Sequence, residues 1–329
     1  MILITGGSGF IGSVIACTLN RKGRDDLIIC DRFGCGEKWK NLVGVQFEEF
    51  VNCDDLFEAL HSAKWSKKID AVIHMGARTD TTERDIDFLM RNNFDYSRRL
   101  CEWSVERKAR FIYASSAAVY GDGSLGFSDD DALTPRLKPL NGYGFSKWLF
   151  DMWVLRHGLS NRVAGVRFFN VFGPNEYHKG KMASVVFRSF PSAAEEGRVR
   201  LFKSHRDDYA DGEQARDFIY IDQAVSAVLF LLDNPDVNGI FNVGTGRAHT
   251  FNELATAIFE ALDKPAHIEY FDMPEEIRNQ YQYHTQAEMS KLYGAGFPQF
   301  EDSFAENVKR YVREYLAPGL KRYCEVSRG

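Results

Sequence analysis

A chain of 329 residues with 44% hydrophobic side chains holds more than one simple core, so one large domain or two closely joined domains are expected. A formal charge of −5 argues against a nucleic-acid partner, whose phosphates demand a basic face. Cys17, Cys30, Cys35, Cys53, Cys101 and Cys324 are scattered, with no CxxC pair and no His/Cys cluster at ligand spacing; they read as reduced thiols, with no metal. No apolar stretch approaches the length of a membrane span, and the first strand starts at residue 2, leaving no room for a signal peptide; a cytoplasmic protein without a membrane partner is expected.

"ILIT" reads as a buried strand and runs into "TGGSGFIG", beginning at Thr5. Gly6, Gly7, Gly9 and Gly12 permit a sharp strand-to-helix turn, and the bare N–H groups of the following helix form an anion site suited to a pyrophosphate. The next strand, "LIICD", closes on Asp31, 19 residues past Gly12, where a carboxylate suits an adenosine ribose. Arg32 follows directly and Lys38 is near, and either suits a 2′-phosphate, so these residues leave NAD and NADP both open.

Further strands are read in "VQFEEFV", "AVIHMGA", "RFIYASSA" and "VAGVRFFNVFG", with helices at Ser13–Lys22, Asp54–Ala63, Phe88–Arg107 and Ser146–His157. His74 reads as a packed core histidine, and the aromatics of "FNVFG" as core. Repeated β-then-α units with buried strands predict a Rossmann-like, doubly wound parallel sheet of the α/β class. After Gly173 the texture turns to loops and short elements, among them an acidic stretch, "RDDYADGE", read as a solvated loop. "RDFIYIDQAVSAVLFLL" and "GIFNVGTG" again resemble sheet units, so the first domain is expected to be discontinuous: 1–168 plus about 217–247 for the dinucleotide, with about 169–216 and 248–329 forming a smaller substrate-binding domain. Thr250 and Glu253 form a T-x-x-E capping box that opens a helix over Phe251–Leu262.

Tyr143 and Lys147 lie four residues apart on one helix face, downstream of Ser116 at the end of a central strand. Strand carboxyl ends are where ligands bind in such sheets. A phenol, with a pKa of about 10, is a poor base at neutral pH. A nearby lysine ammonium and a cationic nicotinamide are expected to lower that value. Tyr143 then takes an alcohol proton as hydride leaves the same carbon, with Ser116 holding the oxygen. This is alcohol–ketone chemistry.

"TGGSGFIG", "SSAAVYG" and Tyr143-x-x-x-Lys147 resemble the extended short-chain dehydrogenase/reductases, which act mostly on nucleotide sugars, and the resemblance covers nearly the whole chain. "HMGARTDTTE", "RFFNVFGPNEYHKGKMASV", "LFKSH", "ARDFIYIDQ", "GIFNVGTGRA" and "NQYQYHTQA" resemble, more specifically, members that invert C6″ of an ADP-linked manno-heptose for lipopolysaccharide. The resemblance implies Tyr143 and Lys179 as two catalytic bases, supported by Ser116 and Lys147. It implies NADP, held by the Gly6–Gly9–Gly12 turn with Phe10 and Ile11, by Asp31, Arg32 and Lys38, by Met75, Gly76, Ala77, Arg78 and Thr79, and by Asn92, Lys147, Val171 and Lys179. Substrate contacts are implied at Ser116, Asn170, Lys181, Arg188, Phe202, Lys203, Ser204, His205, Arg216 and Tyr281. Lys181 and Arg188 stand where other members carry serine and histidine, and Cys53 where they carry a cofactor lysine. A homo-oligomer, a pentamer, is implied as well.

Three rival activities meet specific residues. A 4,6-dehydratase needs proton-transferring groups just after Ser116, where Ala117 and Ala118 stand. A UDP-sugar 4-epimerase shares "SSAAVYG" but manages with one tyrosine, whereas inversion at an exocyclic carbon uses a base on each face, which Lys179 supplies. A non-catalytic dinucleotide-binding redox sensor has no need of Tyr143, Lys147 and Ser116 together.

Overall fold

The computed structural model describes residues 1–62, 65, 68–278 and 281–326. Ala63, at the end of one expected helix, and Asn279 and Gln280 of "NQYQYHTQA" lie outside the described residues. Six strands arise in chain order in the first half: β1 (Ile2–Thr5), β2 (Leu27–Asp31), β3 (Glu49–Asn52), β4 (Ala71–His74), β5 (Arg110–Ser116) and β6 (Val163–Phe168). The second half adds β7 (Asn170–Phe172), β8 (Val199–Phe202), β9 (Ala215–Arg216), β10 (Phe218–Tyr220), β11 (Gly239–Val243), β12 (His249–Thr250) and β13 (Ile268–Phe271). The main sheet has seven parallel strands in the order β11-β6-β5-β4-β1-β2-β3.

Side chains alternate across the sheet, and both faces are covered, as a parallel sheet requires. Ile2, Ile4, Ile29, Ile73 and Val166 pack with helices α1 (Phe10–Arg21) and, further along the chain, Ile221–Asp233. Leu3, Ile28, Val72 and Phe111 face α2 (Leu56–His61), and beyond α3 (Ile86–Leu89) the same face meets α4 (Tyr96–Glu106) and α5 (Gly142–Arg156). The first core continues through Phe172, Phe218 and Tyr311 into the second half of the chain.

Several elements differ from the sequence reading. The helix expected over Phe88–Arg107 is interrupted by a π-turn at Met90–Asp95, and the strand expected in "VQFEEFV" forms only at Glu49–Asn52. "VAGVRFFNVFG" breaks after Phe168, and its second part, β7, pairs with β10 outside the main sheet, whereas β11 completes that sheet beside β6. The capping box forms: Thr250 Oγ1 accepts from Glu253 N–H and Glu253 Oε2 from Thr250 N–H.

The cysteine reading is corrected. Cys17 and Cys324 are joined by a disulfide across 307 residues, while Cys30, Cys35, Cys53 and Cys101 are free. The cause is tertiary: the C-terminal segment crosses α1, where Tyr323 packs under the Arg21 guanidinium and its carbonyl accepts from that side chain. Among the described residues, no helix is long and apolar enough to cross a membrane. No group of three or more His, Cys, Asp or Glu side chains among them is arranged to hold a metal ion.

Candidate active site

The carboxyl ends of β1 and β4 diverge at the point where strand order reverses, the place for a ligand in such a sheet. Gly6 has φ +65°, and a Cβ there would lie 2.6 Å from Gly76 N, so the two crossover turns touch backbone to backbone. A Cβ on Gly12 would fall 2.2 Å from Gly6 O, so only glycine lets α1 start so close to the strand. Gly9 caps α1 without a side-chain bond, leaving the first-turn N–H groups facing the cleft lined by Gly6, Gly9, Phe10, Ile11 and Gly12.

Asp31 ends β2 beside this turn, and its carboxylate accepts from Ser8 N–H (2.9 Å), Ser8 Oγ (2.6 Å), Arg32 N–H (2.7 Å) and Lys38 Nζ (2.5 Å). The Arg32 guanidinium pairs with Asp54. Both cations line the same recess as Cys53, Arg78 and Asn92. The Met75–Thr79 turn is held from below by the π-turn, a distortion frequent at functional sites. Asn93, inside it, accepts from Arg78 N–H and donates to Arg78 O and Ser146 Oγ, tying the turn to α5. His74 is buried between Thr5 Oγ1 (2.6 Å) and Ser97 Oγ (2.8 Å), and burial pushes its pKa down to about 3, a neutral core histidine as expected.

Helix α5 starts where Asn141 Oδ1 accepts from Gly144 N–H, and its buried face presents Tyr143, Lys147 and Asp151 one turn apart. Ser116 Oγ accepts from Ala118 N–H, and Ser116 lines the same cavity as Tyr143. Lys147 Nζ donates to Ala114 O at 2.8 Å. Asp151, fully buried, accepts from Tyr113 Oη (3.0 Å), Ser115 Oγ (2.9 Å) and Arg167 Nε (2.9 Å), locking α5 against β5 and β6. Arg167 also donates to Tyr120 Oη and Thr134 Oγ1.

The electrostatics differ from expectation in one respect. Burial raises the Tyr143 phenol, with Ser116 opposing, instead of Lys147 lowering it, because the ammonium is turned to a carbonyl. Burial brings the Lys147 ammonium down to about 8, against the pull of Asp151.

A short 3-10 turn, Tyr177–Met182, brings Lys179 to the cavity from a separate element, with Nζ 5.4 Å from the centre of the Phe10 ring. Burial lowers its pKa, opposed by Glu176. Tyr143, Ser116, Lys147, Asn170, Val171, Lys179 and Arg188 line one cavity of about 360 Å³, which meets the dinucleotide cleft along Phe10, Ile11, Met75, Ala77 and Thr79.

Phe202, Arg216 and Tyr281 gather elsewhere. Phe202 packs on Phe271 and edge-on to Tyr281, and the buried Arg216 guanidinium lies 5.0 Å from the Tyr281 ring and 5.7 Å from that of Phe251, which also lines the catalytic cavity. Three other side chains are engaged within the protein: Lys203 faces Asp272 (3.7 Å) and His205 Nε2 accepts from Met273 N–H, both on the segment after β13, while Ser204 Oγ donates to Arg206 O in its own loop. Lys181 donates to Thr82 Oγ1 at 2.7 Å, tying its loop across the cleft mouth. "RDDYADGE" is partly solvated, with an exposed Arg206–Asp208 pair, but its Tyr209 packs on Tyr283. Sequence reading missed Phe251, which lines the cavity, and Asp151, Arg167 and Glu176, which support its walls; Phe169, read as core, and Phe168 also border the cavity.

The model of the NAD dependent epimerase/dehydratase family matches residues 2–244. A curated relative from Nitratidesulfovibrio vulgaris (strain DP4), an ADP-L-glycero-D-manno-heptose-6-epimerase, is 53% identical over 317 residues, covering 96% of this chain and 98% of its own. Among solved structures, an ADP-L-glycero-D-manno-heptose-6-epimerase of Helicobacter pylori superposes with a TM-score of 0.79 at 30% identity, covering 95% of each chain. A UDP-N-acetylglucosamine 4-epimerase of Methanobrevibacter ruminantium superposes at 0.78 with 27% identity, over 96% of this chain and 98% of its own. With its glycine turn, strand-end serine and Tyr-x-x-x-Lys helix in one cleft, the chain belongs to the NAD dependent epimerase/dehydratase family.

Proposed function

We propose that this protein epimerises ADP-D-glycero-D-manno-heptose to ADP-L-glycero-D-manno-heptose at C6″ through a transient 6-keto sugar, in lipopolysaccharide core precursor synthesis. One observation carries the reading: Tyr143 and Lys179, on different elements, border the same cavity. The C6″ hydrogen is not acidic, so direct deprotonation is slow, whereas a planar ketone can be rebuilt with either hand.

The residues fit a nicotinamide dinucleotide: bare backbone touches backbone at Gly6 and Gly76, the α1 N-terminus is uncapped by any side chain, and a carboxylate ends β2. Bound there, the cofactor supplies the hydride acceptor and donor at C6″. Tyr143 takes the C6″ hydroxyl proton, and Ser116 holds that oxygen. Rotation about the C5″–C6″ bond then presents the other carbonyl face and carries the oxygen to Lys179, which returns a proton. Lys147, one turn along the same buried helix face, donates to Ala114 O in this structure; released from that carbonyl, its ammonium would favour the phenolate.

We assign NADP as the finer reading, supported by Lys38 and Arg32 beside Asp31; a 2′-phosphate would take these cations from Asp31 and Asp54. Phe202, Arg216 and Tyr281 suit an adenine and its diphosphate, with aromatic faces and a buried guanidinium. The dinucleotide-binding part is taken as 1–168 plus about 217–247, the assembly as a homo-oligomer and the location as cytoplasmic.

The decisive experiment is parallel incubation with the ADP-D-glycero-heptose and with UDP-galactose, products being resolved by NMR. Inversion of the heptose alone is expected; conversion of only the UDP-sugar overturns the assignment in favour of a 4-epimerase.

A further inference from the structure

Lys179 sits on a turn with no regular pairing of its own, yet a catalytic group must be held to a fraction of an ångström. Glu176, three residues earlier, is fully buried. Its Oε1 accepts from Ser184 Oγ (2.6 Å), Tyr311 Oη (3.1 Å) and Gly173 N–H (3.4 Å), and its Oε2 accepts from Ser184 N–H (2.6 Å). Gly173 and Ser184 are the two ends of the segment that carries Lys179. One carboxylate therefore closes that segment into a ring and pins it to Tyr311, itself buried in the C-terminal helical region. The segment enters from β7, and Ser184 is the N-cap of helix α6 (Val185–Glu195), so the ring is anchored at both ends.

We propose that Glu176 is a positioning residue for the second proton-transfer step: by closing the 173–184 segment on itself it fixes where Lys179 stands over the cavity. The inference rests on the reading of Lys179 as the second proton group. The ionised carboxylate matches its surroundings, because two of its partners are backbone N–H groups that only donate. Replacement by glutamine swaps one oxygen for an NH2 group, which must then face a donor.

The test compares wild-type protein with Glu176→Gln, Tyr311→Phe and Lys179→Met. It measures epimerisation kcat and KM, the absorbance of reduced cofactor during turnover, and amide hydrogen exchange over residues 177–183. Glu176→Gln is expected to lower kcat on the order of 10- to 100-fold, the cost of a misplacement near 1 Å, with KM little changed. Reduced cofactor should accumulate, because the first proton transfer at Tyr143 is untouched, and exchange in 177–183 should rise. Tyr311→Phe, which removes one donor and keeps the ring, should move all three readouts the same way by less. Lys179→Met should block epimerisation without raising exchange. Normal kcat and exchange in Glu176→Gln overturn the inference, as does a parallel fall of both proton-transfer steps. If Glu176→Gln does not fold, unchanged readouts in Tyr311→Phe overturn it instead. Retained epimerisation in Lys179→Met would sink the reading of Lys179 itself, while the exchange data would still decide whether Glu176 closes the loop.

Discussion

The two sides of the catalytic cavity are built from different materials. On one side Tyr143, Ser116 and Lys147 stand on a strand end and a long helix, bolted together beneath by Asp151 and Arg167. On the other, Lys179 rides a single turn whose place depends on one buried carboxylate and on contacts from the far end of the chain. That second side is laced to the dinucleotide turn. Asn175 donates to Ser13 Oγ and accepts from Tyr323 N–H, while Asn41 donates to Ser8 O and Asn175 O and accepts from Arg322. A rigid base and a tethered one together suit a substrate that must turn over between two proton-transfer steps.

The largest expected effect sharpens this contrast on the rigid side. Arg167→Met leaves the Asp151 carboxylate buried without its cation, and breaking such a pair costs about 3–5 kcal/mol. Denaturant unfolding should show that loss; a change below about 1 kcal/mol would mean the bolt is not what holds α5.

Next comes the division of labour. Tyr143→Phe removes the first proton acceptor and keeps the ring, so turnover should fall by at least ~100-fold with no reduced cofactor formed. Lys179→Met should abolish epimerisation yet let reduced cofactor appear. Equal behaviour of the two variants would erase the distinction between the sides.

Smaller effects are expected at the adenosine end. The double variant Arg32→Ala, Lys38→Ala should lose about 1.5–3 kcal/mol of NADP affinity per lost charge-assisted contact and hardly any NAD affinity, read by titration. Equal losses for both cofactors, or none, would return these cations to their local carboxylates.

The last effect is spread over pH. Burial holds His74 neutral with a pKa of about 3 against the ordinary imidazole value of 6.5, so the unfolded chain binds the extra proton between those values. Stability is therefore full above pH 6.5 and falls as pH drops towards 3, by up to about 1.4 kcal/mol per pH unit for this group. His74→Gln should flatten that slope. An unchanged slope would assign the acid sensitivity elsewhere, for example to His178 on the tethered side, whose pKa burial lowers to about 4.

The same contrast explains what the sequence revealed. The sheet, the glycine turn and the Tyr143–Lys147 pair were legible because their signals are local: short continuous apolar runs, a short glycine spacing, four residues on a helix. The π-turn was not, since nothing in "MRNNFD" marks the extra residue that aims Asn93 at Arg78. Lys179 came only from resemblance to a family. Glu176 and Tyr311 are 135 residues apart, Cys17 and Cys324 307 apart, and neither spacing carries a sequence signal. The disulfide reversed the cysteine reading for that reason.

The placement of β11 bears on how the chain is made. Six strands of the main sheet are complete by Phe168, but the seventh arrives only with Gly239–Val243 and pairs along β6 from Ala164 to Phe168. Until then β6, whose six residues are all buried in the finished protein, presents an open row of N–H and C=O groups flanked by an apolar face of Ala164, Val166 and Phe168. At roughly 5–20 residues per second of synthesis, that edge stays bare for on the order of ten seconds. A nascent chain stalled in this window should be sticky, recruiting a chaperone or a second chain to its unfinished edge. The last strand of the sheet thus closes an interval of risk on the ribosome as well as a fold.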